Sequence, residues 1–272
     1  MTLRPVKLGQ APALDDADAQ RPKGLPDKPE RQAQLQALRD RMIELQRPLF
    51  AERKQALLVV LQARDAGGKD GTIRRVFGTL NPQGCRVTGY GKPTTRELQQ
   101  DYLWRIHSEV PGRGMIGIFN RSHYEDVLVV RVLELVPEKV WRKRYDQIND
   151  FERMLSENDV TILKFFLHVS KDEQRQRLLR RLKDPKRNWK FNPDDLTARD
   201  DWEEYTEAYR EALAACSTDW APWYVVPADS KSSRDLLVAE VVVDALERMN
   251  PQFPTADPEV QRYASALDST KG

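Results

Sequence analysis

An apolar run over residues 57–61 that breaks into a glycine-rich loop is the feature that most constrains the fold of this chain. The loop contains Gly67, Gly68 and Lys69, and a helical pattern follows it over 69–80. A strand that delivers such a loop to the start of a helix lets successive backbone N–H groups converge on one point, which the positive end of the helix dipole also faces. The segment therefore predicts a phosphate-binding loop, to which Lys69 adds a mobile positive charge.

The loop matches the general phosphate-loop pattern G-x-x-x-x-G-K-[ST] only in part. Ala63 replaces the first glycine, and Asp70 replaces the hydroxyl that would hold magnesium. Two plainer interpretations stay open, a flexible turn before a helix and a phosphate loop that has lost its function. Asp65 inside the loop favours the functional interpretation. Phosphate contacts are then assigned to Ala66, Gly67, Gly68, Asp70, Gly71 and Thr72.

Short apolar runs alternate with helical patterns along most of the chain. Such alternation is typical of a parallel sheet that is covered by helices on both faces, in which strands are continuous runs of Val, Ile, Leu and Phe. The sequence therefore predicts an α/β fold, with three layers and a parallel sheet of about five strands. The predicted strands cover 56–61, 86–88, 115–119, 160–169 and 223–227, and the predicted helices cover 31–52, 69–80, 95–109, 122–133, 137–157, 171–183, 196–214 and 232–248.

The 272 residues suffice for one main domain with short appended segments. Residues 1–29 are rich in Pro, Asp, Ala and Gln and predict an extended arm, residues 30–250 form the α/β domain, and residues 251–272 form a tail. Two X-Pro steps, at Pro185 and Pro193, bracket an irregular basic segment between two helices. We expect residues 173–200 to form a helical lid.

The net charge of +2 hides an uneven distribution of charge. Residues 173–190 carry eight basic and two acidic residues, whereas residues 194–211 carry eight acidic ones. Arg177, Arg180 and Arg181 lie one turn apart on a helix and predict a clamp for a long polyanion, with a solvated surface helix as the ordinary alternative. Nucleic acid is not the favoured polyanion, because few aromatic residues are interleaved with this block.

Cysteine usage and hydropathy indicate where the protein works. Cys85 and Cys216 are far apart and fit neither a disulfide framework nor a zinc site. No apolar stretch approaches the roughly 18 residues that cross a bilayer. We therefore expect a soluble protein of the reducing cytoplasm that has no membrane partner.

Polar residues follow the predicted strand over 115–119. Ligands gather beyond the carboxyl ends of strands in open α/β sheets, and both this segment and the glycine-rich loop lie at such ends. Arg121 is a candidate phosphate ligand, because its planar and permanently charged guanidinium fits phosphate oxygens. Ser122 and Glu125 also fit a helix capping box, which leaves Arg121 unexplained.

With these residues considered together, the chain resembles the polyphosphate kinases of family 2 over roughly residues 30–250. The resemblance lies in 62–71 (QARDAGGKDG), 92–94 (KPT) with 101–107 (DYLWRIH), 117–126 (GIFNRSHYED) and 221–224 (APWY). It implies a thymidylate-kinase-like phosphate-loop fold with a lid, Mg²⁺ as cofactor, and assembly into dimers or tetramers. It also implies transfer of the terminal phosphoryl group of inorganic polyphosphate to a nucleotide.

The resemblance also indicates which nucleotides the protein phosphorylates. Many members have Asp where this chain has Asn120, and Trp where it has His123. The form NRSHYED resembles the branch that phosphorylates nucleoside mono- and diphosphates, so we expect AMP and ADP as acceptors, with guanine nucleotides as a second option. Asn120, His123 and Tyr124 are predicted to bind the nucleotide.

The residues and the resemblance together give the catalytic assignments. Because an amide at position 120 supplies no negative charge, the metal contacts are expected at Asp65 and at Glu125 or Asp126. Lys69 and Arg121, with Asp65, are the predicted catalytic residues of a direct in-line transfer without a phosphoenzyme. Two other functions share some of these features, an ATP-dependent small-molecule kinase and a non-catalytic module that binds RNA or another polyanion.

Overall fold

A parallel sheet forms the centre of the fold in the computed structural model, which describes residues 3–260, 263, 264 and 267. Its strands are β1 (Ala56–Gln62), β2 (Cys85–Gly89), β3 (Ile116–Asn120), β4 (Val160–His168) and β5 (Trp223–Pro227). They pair in parallel in the order β2–β3–β1–β4–β5. Every residue of the central strand β1 is buried, as its continuous apolar run predicts. The predicted α/β fold with a parallel sheet is confirmed.

Helices cover both faces of this sheet. They are α1 (Lys28–Glu52), α2 (Lys69–Thr72), α3 (Thr95–Leu98), α4 (Trp104–His107), α5 (Glu125–Val132), α6 (Glu138–Glu157), α7 (Lys171–Lys183), α8 (Asp194–Asp200), α9 (Trp202–Ala215) and α10 (Lys231–Met249). Leu57 and Val59 of β1 pack with α1 and α10, whereas Leu58 and Val60 pack with α5, α6 and α9. Alternate side chains of β1 thus belong to two hydrophobic cores, one on each face of the sheet. The three predicted layers are confirmed.

Three predicted helices are interrupted, and the helix predicted over 122–133 is shortened to α5. The helix predicted over 69–80 ends as α2 at Thr72 and continues as a π-helical turn over Ile73–Phe77. The helix predicted over 95–109 splits into α3 and α4, because the Asp101 carboxylate accepts from the Leu103 N–H and forms a local turn between them. The helix predicted over 196–214 divides at Asp201 into α8 and α9.

The N-terminal residues pack against the domain. The Val6 N–H donates to the Trp223 carbonyl at 2.8 Å, and the Ala19 carbonyl accepts from the Asp229 N–H at 3.0 Å. Leu14 is buried in this segment. Residues 1 and 2 of the predicted arm and much of the predicted tail over 251–272 lie outside the described residues.

Among the residues that the structure describes, no helix combines the length and the apolar character needed to cross a membrane.

Candidate active site

The loop that follows β1 has the backbone of a phosphate-binding turn. Ala66 and Gly68 have φ angles of 56° and 112°, and this left-handed geometry turns neighbouring N–H groups toward one side. Gly67 leaves no room for a side chain, because a Cβ there would lie 2.6 Å from the Ala63 Cβ and 2.8 Å from the Arg64 carbonyl oxygen. This packing favours the functional interpretation of the loop over a flexible turn.

The Lys69 ammonium is held within the loop. It is buried and donates to the Ala63 carbonyl oxygen at 2.8 Å. Burial, together with the nearby Arg121 guanidinium, lowers the pKa of Lys69. A phosphate oxygen is a stronger partner for an ammonium than a neutral carbonyl. The Lys69 ammonium is therefore in a position to exchange its carbonyl partner for a bound phosphate.

Arg121 leaves the end of β3 in a left-handed conformation, with a φ of 65°. Its guanidinium lies 2.7 Å from an Asp65 oxygen and 3.5 Å from a Glu125 oxygen. Burial alone would lower the pKa of Arg121, but these two carboxylates outweigh it and raise that pKa. Such backbone conformations persist only where the surroundings hold them, and they cluster at functional sites. The structure thus brings Arg121, Asp65 and Lys69 together.

The capping-box interpretation of Ser122 and Glu125 is wrong. The Ser122 hydroxyl accepts from the Tyr124 N–H and from the Gln62 amide, both at 3.2 Å. Helix α5 begins only at Glu125 and has no side-chain cap. The Glu125 carboxylate lies toward Arg121 and so belongs to the site.

Asp65 and Glu125 form a carboxylate pair beside the loop. Arg121 bridges them, and their side chains are 26% and 18% exposed, so solvent reaches both. Within the described part of the chain, no group of three or more His, Cys, Asp or Glu side chains is placed to hold a metal ion. Mg²⁺ needs fewer protein ligands than that, because one or two carboxylates and the substrate phosphates commonly suffice. The pair fits a Mg²⁺ ion that binds together with a phosphate.

Asp126 faces away from this pair. Its carboxylate accepts from the Arg144 guanidinium at 3.2 Å, and burial raises the pKa of Asp126. Consecutive residues of a helix point about 100° apart, so Glu125 and Asp126 cannot both face the loop. The prediction that Asp126 binds the metal does not match its position, and Glu125 is the better candidate.

His123 and Tyr124 lie below the cleft, in a buried polar cluster that we call the Lys164 network. It consists of His123, Tyr124, Glu152 and Lys164, each at most 1% exposed. The Lys164 ammonium pairs with Glu152 and donates to the Tyr124 hydroxyl at 2.7 Å. Glu152 Oε1 lies 3.2 Å from His123 Nε2 and accepts from the Tyr124 hydroxyl at 3.1 Å. Direct contact of His123 or Tyr124 with a nucleotide, as predicted, does not match this burial.

The Lys164 network holds the turn that carries Arg121. Burial raises the pKa of Glu152, but Lys164 and His123 outweigh it and lower that pKa, so the carboxylate is ionised. Because His123 and Tyr124 follow Arg121 by two and three residues, the network fixes the chain directly after it. The sequence gives no signal for this pairing, which joins α6, β4 and the β3–α5 connection.

Asn120 and Asp70 meet at the mouth of the loop. The Asn120 amide donates to Asp70 Oδ1 at 3.0 Å, and the Lys190 ammonium lies 3.1 Å from Asp70 Oδ2. Burial raises the pKa of Asp70, but these two bonds outweigh it and lower that pKa. The ionised carboxylate repels phosphate, which restricts Asp70 to a backbone contact. The buried Thr72 hydroxyl donates to the Gly68 carbonyl at 3.2 Å and so faces away from the cleft.

The three arginines of α7 differ in how they face the cleft. Arg180 is 57% exposed and pairs with Glu173, whereas Arg181 pairs with Asp195 at 2.9 Å. Arg177 is buried and also pairs with Glu173. Its remaining donors bind four carbonyl oxygens, those of Ala66, Gly67, Ala228 and Asp229. The predicted direct contact of Arg177 with polyphosphate does not match this geometry, because the protein already occupies its donors.

Reasoning from the sequence missed a basic group at the start of α10. Arg234 lies against Gly68, where any Cβ would collide with its guanidinium. Arg234 and Arg75 both pair with the buried Asp235. Lys231 is the first residue of α10 and lies shortly after the end of β5. Ligands also gather beyond the carboxyl end of β5, and this rule could have pointed to the basic residues at the start of α10.

The loop after β1, Arg121 and the basic residues of α7 and α10 surround one cleft of about 1010 Å³. Among the described residues, the acidic side chains that line this cleft are only Asp65, Asp70 and Asp195. The basic lining residues are Lys69, Arg74, Arg75, Arg121, Arg177, Arg180, Arg181, Lys186, Arg187, Lys190, Lys231 and Arg234. The excess of cations fits a multiply charged anion.

Comparison with known proteins identifies the family. The model of the family described as polyphosphate kinase 2 matches residues 26–254. The chain belongs to the polyphosphate kinase 2 family. An AMP/ADP-polyphosphate phosphotransferase of Meiothermus ruber is 56% identical over 82% of this chain and 85% of that protein. An ADP-polyphosphate phosphotransferase of Rhodopseudomonas palustris is 44% identical over 80% of both chains.

A solved polyphosphate kinase 2 structure agrees with the fold. The crystal structure of Polyphosphate Kinase 2 from Arthrobacter aurescens TC1 has a TM-score of 0.90 and 37% identity, and the match covers 99% of both chains. The resemblance inferred from the four sequence segments is therefore confirmed, and with it the assignment to a family of kinases.

Proposed function

We propose that this protein transfers the terminal phosphoryl group of inorganic polyphosphate to AMP and ADP, reversibly and with Mg²⁺. The observation that carries the proposal is the single cleft in which the phosphate-binding loop faces both Arg121 and an excess of cations. The names of the relatives from Meiothermus ruber and Rhodopseudomonas palustris, which include AMP, ADP and polyphosphate, support the same substrates.

The residues of the cleft account for the transfer by positioning and charge. The loop amides and Lys69 hold the reacting phosphates, and Arg121 neutralises negative charge as the bond to the leaving phosphate breaks. None of the three histidines, all of which the structure describes, lines the cleft. A direct in-line transfer without a phosphohistidine fits this arrangement.

Asp65 and Glu125 would hold a Mg²⁺ ion, which would supply positive charge that neutralises the reacting phosphates. Glu125→Gln is expected to raise the Mg²⁺ concentration for half-maximal activity by about tenfold or more, since even outer residues of metal sites change affinity by about 10- to 100-fold. Titration of activity with Mg²⁺ measures this shift. Asp126→Asn is the matched control, with an expected shift below about threefold. The reverse order of the two variants would contradict the choice of Glu125.

We also propose that residues 173–200 act as a lid over the bound phosphates. Its far end is attached across the cleft by exposed ion pairs, Lys190 with Asp70 and Lys92 with Asp194, both at 3.1 Å. Exposed pairs contribute little to stability, so this attachment is weak enough to open.

The proposal has three further parts. We propose that the protein assembles as a dimer or tetramer, that it accepts guanine nucleotides as well, and that it acts in the cytoplasm.

One assay tests the proposed function. Purified protein is incubated with Mg²⁺, AMP or ADP, and polyphosphate as the sole phosphate donor, and the nucleotides are then separated. We expect ADP and ATP from AMP, and ATP from ADP. A reaction with ADP but without polyphosphate is the control for dismutation of ADP. In a parallel reaction ATP replaces polyphosphate as the donor: transfer from ATP but not from polyphosphate would support an ATP-dependent small-molecule kinase, and no transfer from either donor would support a binding module.

Binding of polyphosphate is expected to weaken with salt. Each phosphate that the cleft neutralises releases counterions, so affinity falls steeply as salt concentration rises. A polyanion that contacts about three cations should lose on the order of tenfold in affinity between about 50 and 200 mM salt. Titration of long-chain polyphosphate by calorimetry measures the change, and ADP, which has fewer charges, should show a smaller one. Equal salt dependence for both ligands would contradict a multivalent polyphosphate site.

A further inference from the structure

Residues 3–19 form a segment that we call the N-terminal strap. It contacts the start of β5 through the bond from the Val6 N–H to the Trp223 carbonyl, and it ends beyond the carboxyl ends of β4 and β5. Leu14 and Ala19 anchor it, since they are 6% and 0% exposed. None of the strap residues, all of which the structure describes, lines the cleft. Any effect of the strap on the reaction must therefore act through the elements that it contacts.

The strap fixes the start of α7. The Asp16 carboxylate accepts from the Lys171 N–H at 3.0 Å, across 155 positions of sequence. The Asp15 carbonyl oxygen lies 2.8 Å from His168 Nε2, at the end of β4. The first N–H groups of a helix have no partner within the helix, and a carboxylate near them also interacts favourably with the helix dipole. Asp16 thus supplies from outside the helix a contact that sets where its first turn lies.

The strap also holds the loop that follows β5. The Asp229 N–H donates to the Ala19 carbonyl at 3.0 Å. The Asp229 carboxylate accepts from the Ser170 N–H at 2.9 Å and from the Ser170 hydroxyl at 2.8 Å. That hydroxyl caps α7 by accepting from the Glu173 N–H at 3.2 Å. The strap, the loop after β5 and the start of α7 therefore form one connected junction.

This junction carries the side chains that hold the phosphate-binding loop from behind. The Gln174 amide donates to the Asp65 carbonyl at 3.1 Å. The Arg177 guanidinium donates to the Ala66 and Gly67 carbonyls at 3.2 and 3.0 Å. Gln174 and Arg177 are both buried and lie within the first two turns of α7. A shift of the first turn of α7 would therefore move the donors that fix three consecutive carbonyls of the loop.

We infer that the N-terminal strap is a positioning element of the active site, in which Asp16 acts through α7 on the conformation of the phosphate-binding loop. This inference rests on the proposed function. The strap touches neither the loop nor the cleft, so its contribution is to orientation and not to binding. Loss of the Asp16 contact should therefore lower kcat in a protein that remains folded.

The kinetic test compares three variants with the wild type, using long-chain polyphosphate as donor and ADP as acceptor. A misplacement of about 1 Å by a distant substitution can cost about a hundredfold in rate, and loss of one helix contact should cost less, so Asp16→Ala is expected to lower kcat about tenfold. Asp16→Asn keeps an oxygen that can accept from the Lys171 N–H and should recover most of kcat. Thermal unfolding shows that each variant is folded at the assay temperature.

Asp172→Ala is the matched control. Asp172 lies in the same first turn of α7, but its carboxylate pairs with Arg175 of the same helix and not with the strap. The substitution removes an acidic group near the start of the helix and leaves the Asp16 contact in place. It should keep kcat within about twofold of the wild type.

The position of the loop is measured separately from activity. Ala66–Gly67 is the one Ala–Gly step in the sequence, so labelling with ¹³C at the alanine carbonyl and ¹⁵N at glycine gives a single correlation in an NMR spectrum that links the two atoms. The Ala66 carbonyl is an acceptor of Arg177, and its chemical shift therefore reports on that bond. We expect Asp16→Ala to shift this signal, and Asp172→Ala to leave it in place.

The outcomes separate this inference from the function on which it depends. A wild-type protein that transfers nothing from polyphosphate overturns the proposed function. An active wild type in which Asp16→Ala keeps kcat within about twofold, or lowers kcat without shifting the Ala66–Gly67 signal, overturns the positioning role alone. Equal effects of Asp172→Ala, or no recovery in Asp16→Asn, would overturn it as well. A lower kcat together with a shifted signal in folded Asp16→Ala, restored in Asp16→Asn, supports the strap.

Discussion

Replacing Lys69 with alanine is expected to lower kcat for phosphoryl transfer to ADP by about a hundredfold or more. Removal of one preorganised donor from a site that stabilises developing charge typically costs about 3 to 4 kcal/mol of transition-state stabilisation. Lys69 is buried, and within the described part of the chain its ammonium donates to one carbonyl oxygen alone, which makes it such a donor. Steady-state kinetics with polyphosphate and ADP measure the loss.

Lys54→Ala is a matched control for this experiment. Lys54 is an exposed lysine just before β1, at the opposite end of the strand that delivers the loop. Its replacement should leave kcat within about twofold, because it touches none of the groups on which the transfer depends. A Lys69→Ala protein that folds normally and keeps the full kcat would remove Lys69 from the mechanism.

Replacing Lys164 with methionine is expected to have the largest effect on stability. Lys164 is fully buried, and its ammonium pairs with Glu152 and also donates to the Cys216 carbonyl at 2.7 Å. Removal of one partner leaves the other charge buried without compensation, which typically costs about 3–5 kcal/mol of unfolding free energy. Urea unfolding, monitored by circular dichroism, measures the difference from the wild type.

The double variant Lys164→Met, Glu152→Gln shows whether the cost arises from the stranded carboxylate. Glutamine keeps hydrogen bonds to His123 and Tyr124 available but has no charge, so we expect the double variant to recover about half of the lost free energy or more. A loss below about 1 kcal/mol in the single variant, or a double variant no more stable than the single one, would contradict an ionised pair.

The sequence was a good guide to those parts of the fold that depend on local pattern. The apolar runs over 57–61 and 160–169 correspond closely to β1 and β4, because strands buried on both faces leave little choice of residue type. The breaks at Asp101 and Asp201 escaped detection. Apolar periodicity continues across both positions, so it does not reveal local turns such as the one that the Asp101 carboxylate forms with the Leu103 N–H.

Site residues were predictable where their role depends on a strand end or on the conformation of a loop. They were less predictable where their role depends on contacts between residues that are far apart in the sequence. Gly67, Gly68 and Arg121 were assigned from strand ends and loop geometry, and the structure brings them to one cleft. His123, by contrast, was assigned from its place in a motif, although its partner Glu152 lies 29 residues away on α6. A sequence motif marks a neighbourhood, but it does not tell which of its side chains turn inward.

The carbonyl bonds of Arg177 have a mechanical consequence. The guanidinium ties the second turn of α7 to the loop after β1 and to the loop after β5, so this part of the helix belongs to the rigid body of the sheet. Of the proposed lid over 173–200, only the part that follows Arg177 is then free to swing, and it must pivot on the C-terminal side of this anchor. Opening and closing can then admit and release substrates while the cradle beneath them keeps its shape.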